Sequence, residues 1–191
     1  MHPVNRLDRE TSGVMLFAKS GTAARKLASL FESGSIQKTY FAIVFGDFPD
    51  WEKTIGFLSA DPESQISKKR RFTRDFPGDA ADVVSCDTDF RKILSGNGMS
   101  LVECLPHTGR LHQIRATLFS LGYPMVGDKL YGPDETIFLR FIEDGMTDDD
   151  RALLRMDHQA LHAGRLVFRS PFTGEDLCLE ADVPDDFLLK P

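Results

Sequence analysis

The sequence holds 191 residues, 41% of them hydrophobic and 27% charged, enough to bury roughly 70% of the unfolded surface in one core without disulfides or metals. Its 23 basic against 29 acidic side chains leave a net charge of −6, which excludes a grip on nucleic acid by bulk charge and leaves only local basic patches for that role. Cys86, Cys104 and Cys178 are well separated with no Cys-x-x-Cys pair, and neither a secretory apolar region nor a membrane-length apolar run is seen, so reduced thiols and a cytoplasmic location are expected.

In the first block, His2 to Lys19, one carboxylate, Asp8, lies between Arg6 and Arg9. A Thr11-Ser12-Gly13 turn then leads into Val14 to Ala18, which reads as a short buried strand. A carboxylate beside a guanidinium stays ionised, the state a carboxylate nucleophile needs; a loop aspartate in a structural salt bridge gives the same local pattern. Ser20 to Phe31 carries apolar residues at helical spacing, with Ser20 or Thr22 as the cap and Gly34 to end it, and is expected to pack Leu27, Leu30 and Phe31 on the sheet. Tyr40 to Phe45 reads as a central strand. The stretch from Pro62 to Ala81 reads as loop or hairpin tip and contains the basic run Lys68-Lys69-Arg70-Arg71 with Arg74. Such a run is a solvated face or a phosphate-contacting loop, with Phe72 and Phe76 placed either to stack on a base or to anchor the segment.

Val83 to Ile93 and Met99 to Leu105 read as a hairpin around Ser95-Gly96-Asn97-Gly98. From Gln113 a helical period runs to Leu121 and stops at Gly122 and Pro124. Arg115 then falls in the first helical turn, where a cation is unfavourable with the helix dipole and calls for an anionic partner, with Asp8 the natural candidate. Thr147 followed by three aspartates marks the start of a short helix to about Arg155. Leu161 to Phe168 and Leu177 to Glu180 read as late strands around the Ser170 to Glu175 turn. His158 and His162 stand four apart, but Gln159 between them cannot replace a glutamate base and no third ligand is evident, so no metal is expected.

The Arg6-Leu7-Asp8-x-x-Thr11-Ser12-Gly13 block resembles the signature of RluA-type pseudouridine synthases, which isomerise uridine in ribosomal or transfer RNA. Three further blocks resemble that family in order. They are Lys38-Thr39-Tyr40 with Phe41 to Gly46; Thr108-Gly109-Arg110-Leu111-His112-Gln113-Ile114-Arg115 with the turns to Gly132; and the closing segments His158 to Ala163 and Ser170 to Glu175. The resemblance implies an α+β fold, a single catalytic domain over residues 1–191 with a mixed, mainly antiparallel β-sheet flanked by helices and an active-site cleft across the sheet.

The resemblance further implies Asp8 as nucleophile, Arg115 as its ion-pair partner and Tyr40 as the aromatic that packs on the target base and takes part in the proton step at carbon 5. It makes Ile114 the apolar pocket wall, and Arg6 and Arg110 contacts to phosphate or carboxylate. His112 and Gln113 are expected to orient their loop through backbone hydrogen bonds. Lys68, Lys69, Arg70 and Arg71 are candidates for the RNA backbone. No cofactor is required, and RNA is the expected partner. Asn5 stands where many members carry histidine, and either residue can bond the local backbone. The chain begins close to its first motif, so the family's usual N-terminal strands are expected to be missing, leaving a sheet edge open to self-association. The competing readings are an RNA-binding relative without turnover and a hydrolase using Asp8 with His112.

Overall fold

Ala42, Ile43 and Val44 are all buried in the middle of the strand Gln37–Phe45, so that strand is covered on both faces and sits centrally. The structure, a computed structural model, describes residues 1–187. In chain order the elements are β1 (His2–Pro3), β2 (Ser12–Gly13), β3 (Phe17–Ala18), α1 (Gly21–Glu32), β4 (Gln37–Phe45), β5 (Trp51–Ala60), β6 (Arg70–Thr73), β7 (Val84–Gly96), β8 (Met99–Pro106), α2 (Gln113–Ser120), α3 (Thr136–Glu143), α4 (Asp148–Leu154), β9 (Leu161–Arg169) and β10 (Asp176–Glu180), with a 3₁₀ turn at Asp185–Phe187. One eight-stranded sheet runs in the order β10, β9, β4, β8, β7, β5, β6, with β2 added in parallel to β9. Every other pairing in it is antiparallel. This is the α+β architecture expected from the sequence.

The β7–β8 hairpin turns on Asn97 and Gly98, both left-handed (φ 54° and 74°), which is the two-residue turn whose twist matches the flanking strands. Ser20 caps α1 by accepting from the Ala23 N–H at 3.2 Å. Its Leu27, Leu30 and Phe31 pack with Ile36, Leu166 and Phe168 over the β9 end of the sheet. Thr147 caps α4 in a reciprocal box with Asp150, satisfying two N–H groups the first turn would leave free.

The structure differs from expectation in two segments. Val14 to Ala18 is not a buried strand: only Phe17–Ala18 pairs, with His2–Pro3, and Phe17 is 51% exposed while Ala18 is buried. The backbone there is held by other means, since Leu16 N–H donates to the Asn5 side-chain oxygen at 2.8 Å and Val14 N–H to Ala163 O at 2.8 Å. The supposed loop from Pro62 to Ala81 contains β6, paired with β5 from Phe57↔Thr73 to Ala60↔Arg70. Phe72 is buried there and anchors the segment, while Phe76 stays 65% exposed against the Phe57 ring.

Candidate active site

The loop bearing Asp8 is short, has little ladder of its own, and is strapped to the body by side chains that follow it. Glu10 accepts two hydrogen bonds from Lys129 Nζ at 2.8 and 2.9 Å, and Thr11 Oγ1 accepts from Gln159 Nε2 at 2.6 Å. His162 Nε2 lies 3.2 Å from Ala181 O, which can only accept, so the ring proton sits there and Nδ1 takes the Ser12 hydroxyl at 2.8 Å. Gly13 lies at φ +113°, and a Cβ on it would fall 2.2 Å from Ala163 O. The Thr-Ser-Gly turn is therefore fitted to β9 in a way only glycine allows.

Arg115 receives this loop. Its Nη1 donates to Asp8 Oδ2 at 2.7 Å, while Nε and Nη2 donate to Asp128 Oδ2 and Oδ1 at 2.7 and 2.9 Å. The guanidinium also lies over the Tyr131 ring, 5.0 Å from its centroid. Asp128 is fully buried, and its Oδ1 additionally accepts the N–H groups of Leu130 and Tyr131, each at 2.9 Å. Complete burial pushes the Asp128 carboxyl up, but Arg115 and those two N–H groups override it and hold it below the ordinary carboxylate range. Burial alone would weaken the Arg115 charge; the Asp128 and Asp8 carboxylates reverse this and raise its pKa. The result is a fixed cation with two of its edges committed to Asp128 and the third presented to Asp8.

A cleft of about 920 Å³ opens over this pair. All eight residues expected to act in catalysis or substrate binding line it: Arg6, Asp8, Tyr40, Arg110, His112, Gln113, Ile114 and Arg115. Tyr40 follows a register shift between β4 and β9, the kind of bulge that re-aims a side chain. Burial, and then the Asp8 charge, push its phenol up to about 12. Ile114 is buried. Gln113 is the loop's organiser: its Oε1 accepts from Thr108 Oγ1 and Arg110 N–H, and its Nε2 donates to Asp87 O and Thr88 Oγ1. His112, by contrast, uses its ring on the Tyr131 hydroxyl, 3.1 Å away. Arg6 and Arg110 are exposed.

Lys68, Lys69, Arg70 and Arg71 lie outside the cleft lining. Lys69 is buried, 2.6 Å from Glu135 and over the Phe119 ring, so it is spent on the fold. Arg70 faces Asp82 at 3.6 Å and Arg71 faces Glu63 at 3.5 Å. Lys68 is exposed. Lys38, Asp128 and Tyr131 fall within blocks that resemble the family, but no site role is expected of them from the sequence. Lys38 lines the cleft and donates to Thr108 O at 2.9 Å, and burial with the nearby Arg110 lowers its pKa. His158 and His162 are committed separately, the former 3.0 Å from Asp186. Among the described residues, Asp87, Asp89 and His107 bring one ligand atom each within 4.8 Å of one another. They are the set that could hold a cation, with His107 Nε2 already 2.9 Å from Asp89 Oδ2.

Residues 1–120 match the family described as RNA pseudouridylate synthase. An uncharacterized RNA pseudouridine synthase of Chlorobaculum parvum is 38% identical over 180 residues, covering 94% of this chain and 53% of the relative. The ribosomal large subunit pseudouridine synthase D of Zymomonas mobilis is 31% identical over 186 residues, 97% of this chain and 54% of the relative. The solved structure of human RNA pseudouridylate synthase domain containing 4 superimposes with a TM-score of 0.72 at 25% identity, over 97% of this chain and 72% of that one. The chain thus spans about half the length of the curated relatives it matches. With a family match over residues 1–120 and the same fold in a solved member, the chain belongs to the RNA pseudouridylate synthase family.

Proposed function

We propose that this chain isomerises uridine to pseudouridine in RNA, with Asp8 as the nucleophile. The observation that carries the reading is the Asp8–Arg115–Asp128 arrangement facing a cleft of about 920 Å³, within the range of about 300 to 1,000 Å³ of small-ligand sites and so large enough for an extruded nucleotide. The reaction breaks the bond from N1 to the sugar, turns the uracil and joins C5 to C1′. The C5 hydrogen leaves as a proton and N1 gains one, so no electrons are exchanged and no cofactor is required. Asp8 serves either by adding to C6 of the ring or by attacking C1′. Arg115, itself immobilised by Asp128, fixes the rotamer of that carboxylate, and preorganisation of this kind lowers the cost of developing charge.

Tyr40, protonated at neutral pH with a pKa of about 12, supports the reaction as an aromatic surface for the base, with Ile114 as the apolar wall. Arg6 and Arg110, both exposed at the cleft, supply phosphate contacts that position the strand. Named relatives act on the ribosomal large subunit, which favours ribosomal RNA over transfer RNA, in the cytoplasm. A stacked uridine costs a few kcal/mol to extrude, so loops and weakly paired stems are the preferred targets.

The test is tritium release from unmodified ribosomal and transfer RNA transcribed with uridine tritiated at C5. The expected result is release that accumulates with time. RNA retained on filters with no tritium released identifies a binding relative instead and overturns the enzymatic reading.

A further inference from the structure

His112 is a cleft residue that the proposed reaction does not use. It stands just before α2 in a left-handed conformation, φ 56° and ψ 19°, which a non-glycine residue adopts at a cost that its surroundings must offset, and such residues concentrate at functional sites. The conformation turns the imidazole back toward Tyr131, the rings lying edge to face with centroids 5.6 Å apart.

The hydrogen-bond chain fixes which nitrogen carries the proton. Tyr131 is fully buried, and burial keeps its phenol protonated far above neutral pH. Its oxygen accepts the Arg70 N–H at 2.8 Å, so the phenolic hydrogen must find an acceptor. Among the described residues that acceptor is His112 Nδ1, at 3.1 Å. A proton on Nδ1 would leave the buried hydroxyl hydrogen without a partner, a loss larger than a typical hydrogen bond contributes. Nδ1 is therefore the lone-pair nitrogen and Nε2 bears the hydrogen. The charged groups around the ring are Arg115, Asp8, Asp128 and Arg70; burial, and then Arg115, keep the imidazole neutral, with a pKa down to about 4. No protein group among the described residues accepts from Nε2, and His112 lines the cleft beside Asp8.

We propose that His112 is a substrate-positioning residue whose Nε2–H, its tautomer locked by Tyr131, donates a hydrogen bond to a carbonyl oxygen of the extruded uracil. A neutral donor suits this place better than a cation. An imidazolium beside Asp8 would compete with Arg115 for the carboxylate, whereas a neutral N–H can hold a carbonyl without drawing the nucleophile aside. The inference rests on the proposed isomerase reading and names the ring contact that reading leaves open.

Two measurements test it. Nitrogen-15 NMR of histidine-labelled wild-type chain at pH 7 is expected to show His112 as the neutral tautomer protonated at Nε2; a signal from the Nδ1-protonated form or the imidazolium overturns the inference, with or without activity. In the tritium-release assay on unmodified ribosomal RNA, His112→Phe is expected to lower kcat/KM by about tenfold, the equivalent of one lost hydrogen bond, chiefly through KM. His112→Gln, which retains a neutral donor, is expected to recover most of it. Wild-type activity with an unaltered KM for His112→Phe overturns the inference while leaving the isomerase reading intact. A wild-type chain that releases no tritium overturns both.

Discussion

At the residue scale the site is a problem of keeping charges fixed. Asp128 has no solvent exposure and Arg115 little, so each needs the other: removing one member of a buried pair typically costs about 3 to 5 kcal/mol because the remaining charge stays buried unpaired. Asp128→Asn should therefore lower the unfolding free energy obtained from urea titration by an amount in that range and also depress isomerisation, since Arg115 would be free to leave Asp8; an active variant of unchanged stability would contradict the assignment. His112 makes the pH dependence specific. Its pKa is depressed from its ordinary 6.5 to about 4 by burial first and Arg115 second, so between those values the unfolded chain holds the proton and the folded chain does not. Its contribution to stability is complete above about pH 6.5 and is lost as the pH falls toward 4. Urea titrations across that window should show a shallower loss for His112→Gln than for wild type, and parallel curves would refute the shift. Tyr40→Phe retains the ring and should retain more activity than Tyr40→Leu, measured by tritium release.

The elements position these residues by attachment more than by regular structure. The Asp8 loop is held by Glu10 to Lys129, Thr11 to Gln159, and the two-residue β2 on β9. Gly13→Ala, which sets a Cβ against Ala163 O, should detach that loop and abolish activity with a smaller effect on the thermal midpoint than Asp128→Asn, as read by calorimetry beside the activity assay.

What was legible in the sequence follows from the same facts. The pairing of Asp8 with Arg115 could be anticipated because a cation in a first helical turn wants an anion. Asp128 lies in a run that resembles the family, yet its role could not be anticipated, since its value lies in the Arg115 guanidinium and the N–H groups that fold back on it. Strand β5 escaped because its inward positions include Thr54 and Gly56, and Gly56 yields its space to the Phe72 ring, within 2.8 Å of where a Cβ would stand. Pattern reading needs apolar side chains, and here Leu58 is the strand's fully buried one while the space at Gly56 is filled by Phe72 of its neighbour. The same limit hid β6: a Lys-Lys-Arg-Arg string gives no sign that Lys69 points inward to Glu135.

For the whole molecule, a net charge of −6 means that RNA must be held where positive groups converge. Arg6, Lys38, Arg110 and Arg115 line the cleft, but Arg115 is committed to Asp8 and Asp128, which leaves the exposed Arg6 and Arg110 as the freest phosphate contacts. Arg6→Ala and Arg110→Ala should each weaken RNA retention alike across sequences and reduce the slope of log affinity against log salt by about one; an unchanged slope would remove them from the interface. The Arg71–Glu63 pair, exposed and 3.5 Å apart, contributes at most about 1 kcal/mol and leaves Arg71 able to exchange partners.

The central claim concerns one oxygen of Asp8, and a single comparison tests it. Wild-type chain and Asp8→Asn, matched for thermal unfolding and for RNA retained on filters, are incubated with unmodified ribosomal and transfer RNA, and pseudouridines are mapped by carbodiimide labelling and primer extension. The account predicts new stops with wild type and none with Asp8→Asn; stops of equal strength from the variant would contradict it.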